Sequence, residues 1–167
     1  QDKKSKYEGA DISTDVAEAQ AYDAGGVNDR VRRAVEETEG LVMSVNGEYP
    51  YAWFHAHAGG MTELASVALA YDGGDPAYLA PVESPDSDKA PPETAGWTAD
   101  FSLDEVAKAC ADAGVKVGEV TDIRLGEKGV SGRTKELIVS GKAVSAPEFR
   151  INIGADVLKS TLIDEVR

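Results

Sequence analysis

The sequence predicts an α+β fold. Three observations predict it: capped amphipathic patterns beginning at Asn28 and Ser102, an Asn46-Gly47 hairpin signal, and strands and helices that group instead of alternating as βαβ units. With 167 residues, 42% of them apolar, the chain has enough material for one core, so a single domain over 1–167 is expected.

Taken in order, Thr14 to Tyr22 reads as a short helix, broken by Gly25 and Gly26. Asn28 is a good cap for VRRAVEET, which places Val31, Ala34, Val35 and Thr38 on one face and stops at Gly40. LVMSV then reads as a strand, Asn46-Gly47 as its turn, and Tyr49 to His57 as the returning strand. Residues 72–96 hold Pro76, Pro81, Pro85, Pro91 and Pro92 and predict a long irregular excursion. Ser102 and Glu105 form a capping box for a helix with Leu103, Val106, Ala107 and Cys110 on its apolar side and Gly114 as its stop. Strands near Gly118 to Arg124 and Thr134 to Val139 come next, joined by GEKGVSGR. A short helix near Pro147 to Val157 and a final strand from Ser160 to Val166 complete the expected set.

Charge narrows the partners. Thirty acidic and 17 basic residues give a formal net charge of −13, opposite to the basic footprint that a phosphate backbone requires, so nucleic acid is not an expected partner. The longest apolar run, Leu64 to Tyr71, is far shorter than the roughly 20 residues of a membrane span. The chain opens on the polar QDKKSK, without Met, and an upstream segment is expected. Cys110, the lone cysteine, sits on the apolar side of a helix pattern and reads as a buried structural thiol.

The stretch FHAHAGGMTE, Phe54 to Glu63, is the richest in chemistry. As a strand, Tyr49 to His57 would send Tyr49, Tyr51, Trp53, His55 and His57 to one face. That face is either a row of flat, hydrogen-bonding surfaces suited to sugar rings or ordinary cross-strand packing. Two histidines alone do not make a zinc site, and no other histidine exists, so no metal or other cofactor is expected. Gly59-Gly60 either presents bare backbone amides to an anion or carbonyl oxygen, or only permits positive φ with Thr62 capping a helix.

Longer segments carry a resemblance. AVEETEGLVMSVNGEYPYAWFHAHAGGMTE, then PAYLAPVESP, WTADFS, SGRTKELIV and EFRINIGADVLKST, resemble in order and spacing the stage II sporulation protein D family, the SpoIID/LytB-like proteins. The register covers about Tyr7 to Val166.

The resemblance implies a bacterial lytic transglycosylase, outside the cytoplasm at the cell wall or held to the membrane by an upstream segment. It would cleave peptidoglycan glycan strands between N-acetylmuramic acid and N-acetylglucosamine, leaving 1,6-anhydro ends. The sugar's own 6-hydroxyl replaces water, so a single carboxyl group can act as acid and then base. In the family that group is a glutamate ahead of a helix rich in K-A-Q-A, N-terminal to the segments matched here. The chain is therefore expected to be the C-terminal portion of such a domain, framing the cleft without its acid. The same pattern puts Glu63 in a supporting position.

Substrate-binding roles are expected at His55, His57, Gly59, Gly60, Thr62 and Glu63, with both the resemblance and strand parity pointing to His55 and Thr62 as lining the groove. Arg133 and Arg150 either hold the muramyl lactyl carboxylate or serve as structural partners of acidic side chains. Where some relatives carry zinc ligands this chain has Tyr7, Ser13, Glu18 and Ala19, so zinc is not expected. The alternative function is a non-catalytic glycan-binding or scaffold module of a sporulation or division complex. Loss of a covering N-terminal helix would leave an apolar surface, and either an upstream segment present as a separate piece or self-association through that surface is expected.

Overall fold

The computed structural model describes residues 9, 23–85 and 90–167. The expected helix at Thr14 to Tyr22 lies outside them. Chain contacts divide the molecule into Gln1–Pro50 and Tyr51–Arg167. The class is α+β: helices mixed with two small antiparallel sheets.

In the first unit a 3₁₀ turn at Ala24–Gly26 precedes helix α1, Asp29–Glu37. The Asn28 side chain accepts from the N–H groups of Arg30 and Val31, satisfying two donors that have no partner inside the helix. Asp29 adds negative charge at the positive end of the helix, and Gly40 lies beyond its other end at φ +74°. None of the residues of α1 is buried.

The Asn46-Gly47 turn forms as predicted, with both residues at positive φ and reciprocal backbone hydrogen bonds between Val45 and Glu48. The strands on either side do not. Val45 and Glu48 form an isolated bridge, and neither residues 41–44 nor the stretch from Tyr49 to His57 is in a strand. A lone two-stranded hairpin is marginal without a third layer, Pro50 lacks a ladder donor, and Leu41, Val42 and Met43 stay about 70% exposed.

The second unit begins its regular structure with β1, Gly60–Met61, paired antiparallel with β2, Glu83–Ser84. Between them lies α2, Ala65–Ala68. Its N-cap residue, Leu64, makes no side-chain cap, and Asp75 accepts instead from both the N–H and the hydroxyl of Ser66. The described residues of the proline-rich stretch are irregular as expected, except for β2 and α3, Pro92–Ala95, which starts on Pro92.

Helix α4, Leu103–Asp112, carries the full capping box between Ser102 and Glu105. It ends in a Schellman arrangement: Val115 N–H donates to the Cys110 carbonyl and Gly114 N–H to that of Ala111, with Gly114 at φ +83°. Val106, Ala109 and Cys110 are buried. Leu103, placed on the apolar side by spacing, is exposed in the first turn.

The larger sheet has the order β3-β4-β5: Ile123–Leu125, Glu136–Val139 and Lys142–Ser145, all antiparallel. Leu137 and Val139 alternate inward along the central strand, and Val144 joins them from β5. Strand β5 was not expected; Ser140-Gly141, both at positive φ, turns the chain into it within two residues. Helix α5, Ala146–Gly154, starts at once, capped by Ser145, and buries Phe149. The core is therefore α4 and α5 on the inner face of this sheet, closed by Leu158. The expected final strand after Ser160 is not formed; that segment contributes single ties, such as the Thr161 carbonyl accepting from Thr134 N–H. No helix among the described residues is long and apolar enough to cross a membrane.

Candidate functional site

The diglycine corner and the Ser-Gly-Arg turn, far apart in sequence, meet in the second unit. Ala58 is buried, and the chain then passes through Gly59 at φ +66° and Gly60 at φ +100°, conformations that L side chains rarely adopt. A Cβ on Gly59 would also reach 3.0 Å from Leu162 Cδ2. Arg133 grips this corner: Nη2 donates to the Ala58 carbonyl at 2.7 Å and Nη1 to the Met61 carbonyl at 3.0 Å. The planar fork spans both ends of the turn, a geometry that a lysine ammonium cannot reproduce.

Glu63 makes the reciprocal contact. Its Oε2 accepts from the Ser131 N–H at 2.9 Å and the Ser131 hydroxyl at 2.8 Å, and its Oε1 from Leu64 N–H at 3.0 Å. The carboxylate lies so close to Gly129 that a Cβ there would come 2.1 Å from Oε2. Burial alone would raise the pKa of Glu63. The donors from Ser131 and Leu64, with the charge of Arg133, outweigh it and hold the group below its ordinary value. Glu63 is thus an ionised acceptor, unsuited to arriving protonated as a general acid.

Thr62 spends its polar groups on β2's neighbour. Its N–H and hydroxyl both face the Val82 carbonyl, and the hydroxyl accepts from Val82 N–H at 2.8 Å. His55 is exposed on the approach to the corner. His57 is half-buried, and its Nδ1 is enclosed without a hydrogen-bond partner among the described residues. Neither histidine lies on a strand face, so the expected alignment with Tyr51 and Trp53 is replaced by irregular backbone.

Arg150 is not part of this assembly. Its guanidinium donates to the carbonyls of Leu158, Ala155 and Lys159, which closes the loop after α5. Both arginines donate to backbone carbonyls, and the charge of Arg133 also acts on the Glu63 carboxylate. The structure brings together Gly59, Gly60, Thr62, Glu63 and Arg133, with His57 adjacent in the chain.

Ser131 and Gly129 complete the site, although spacing assigned neither a contact. Gly129 is signalled only by the turn-rich character of GEKGVSGR, and Ser131 also by its place in the Ser-Gly-Arg segment of the resemblance. Among the described residues no group of three or more His, Cys, Asp or Glu side chains is gathered as a metal site. The positions of Tyr7, Ser13, Glu18 and Ala19 lie outside those residues. Compared with known proteins, the chain matches no family model, no curated protein and no solved structure.

Proposed function

We propose that the chain handles the glycan strand of peptidoglycan, as the cleft-framing portion of a SpoIID-like lytic transglycosylase. One observation carries this reading beyond the order of the motifs. The two segments of the resemblance with the most constrained backbone, GGMTE and SGR, are joined through Glu63 to Ser131 and Arg133 to Ala58 and Met61. The two motifs thus belong to one site in this chain. Exposed His55 and the rigid diglycine turn beside it then form the surface offered to a sugar strand.

The chemistry needs a carboxyl group with a raised pKa. Among the described residues every carboxyl group with a displaced pKa, namely Glu63, Asp75 and Glu105, is displaced downward by hydrogen bonds. Under this reading the acid and base would be the family's glutamate, which is not among the motifs matched here. The contribution of this chain is to bind and orient the strand.

The second reading is a glycan-binding scaffold without chemistry. Incubating the full-length protein with glycan strands stripped of stem peptides separates the two. Anhydro-ended fragments in the mass spectrum support the transglycosylase, and retention on strands without cleavage supports the scaffold. Neither retention nor cleavage ends both.

A further inference from the structure

Three aromatic side chains in the second unit form one group. Tyr51 stacks on Trp53 with ring centroids 5.3 Å apart and planes 19° apart. Tyr71 meets Trp53 edge-on at 5.0 Å and Tyr51 at 5.9 Å. The group is anchored at two points. Tyr51 N–H donates to the Tyr78 hydroxyl at 2.8 Å. The Tyr71 ring lies over Gly73, where a Cβ would come 2.2 Å from its hydroxyl oxygen and 2.4 Å from Cζ. Yet Tyr51 remains 57% exposed, Trp53 and Tyr71 are only half-buried, and none of the three belongs to the hydrophobic core.

We propose that Tyr51, Trp53 and Tyr71 form a stacking platform for uncharged pyranose rings. A pyranose offers an apolar C–H face bordered by hydroxyls. Two phenols and an indole N–H match it with flat surfaces and hydrogen-bonding edges. Other occupants fit less well. The net charge of −13 gives an anionic ligand no long-range attraction, so recognition falls to ring contact and hydroxyl hydrogen bonds, and rings already in contact leave no gap for a caged cation. Trp53 stands two residues before His55, so the platform lies along the chain leading into the diglycine corner. The inference rests on the proposed function only for which sugar strand is bound.

The test titrates the ¹⁵N-labelled full-length protein with a neutral N-acetylglucosamine tetramer and, separately, a neutral glucose tetramer. The chain has two tryptophans, so Trp97, packed on the core, serves as an internal reference for folding. The Trp53 indole N–H resonance is expected to move saturably with at least one tetramer while that of Trp97 stays. Tyr51→Ala is expected to weaken binding about tenfold, the scale of one lost ring contact. Gly73→Ala, which keeps all three rings but displaces Tyr71, is expected to weaken it as well. A silent Trp53 with both sugars, or wild-type affinity in both folded variants, overturns the platform. A Trp53 response without binding or cleavage of wall strands rejects the wall reading and leaves the platform. Anhydro-ended products at an unchanged rate in Tyr51→Ala, with Trp53 silent, do the reverse.

Discussion

Glu63 and Ser131, 68 residues apart, are joined by two hydrogen bonds to a single carboxylate oxygen. Removing the carboxylate leaves a partly buried N–H and hydroxyl unpaired. Glu63→Ala is therefore expected to destabilise the protein by about 1–3 kcal/mol, and Ser131→Ala by less, because the backbone donor survives. Urea unfolding of the two variants beside wild type measures the difference.

Acid should weaken the fold through the same contact. Burial opposes ionisation of Glu63, but its hydrogen bonds hold the pKa below the ordinary 4.5, while the Ser66 contacts hold Asp75 below 3.8. A carboxylate depressed in the folded state stabilises above its unfolded pKa and loses that contribution as pH falls through the folded value. The melting temperature is expected to decline as pH drops below about 4.5, and the decline should be shallower in Glu63→Gln. Equal slopes in the two proteins would contradict the assignment to Glu63.

Gly129 has no room for a side chain: Glu63 lies over one flank and Val67 Cγ1 would be 2.9 Å from an added Cβ. Gly129→Ala is expected to cost about 1–3 kcal/mol by forcing the carboxylate away. Gly96, where a Cβ meets nothing within 4 Å and φ is −133°, is the control. Gly96→Ala should stay within about 0.5 kcal/mol of wild type.

Arg133→Lys tests the fork. One ammonium cannot occupy both the Ala58 and Met61 carbonyls in the observed planar geometry, so a loss of about 1–3 kcal/mol is expected. Faster amide exchange at Gly59 and Gly60 than in wild type would place the loosening at the corner itself.

What the sequence disclosed was local. The Asn28 cap, the Ser102–Glu105 box and the Gly114 stop each depend on neighbours within a turn, and each stands as expected. Strand parity from Tyr49 to His57 failed because alternation describes a strand only where a partner supplies a ladder. The Asn46-Gly47 turn provides the bend and nothing beyond Val45–Glu48. Strand β5 was hidden for the opposite reason: Ser140-Gly141 is a two-residue turn leading into only four strand residues. The contacts of Glu63 with Ser131 and of Arg133 with Ala58 span 68 and 75 residues and have no local signature. The resemblance in motif order does not say which of these residues would touch.

Cys110 has no exposed surface, and burial pushes its thiol further toward the unreactive neutral form. The chain's lone sulfhydryl thus works as a clock for core opening. A water-borne alkylating reagent can mark it only when the core around α4 opens, so the labelling rate counts those excursions without any engineered probe.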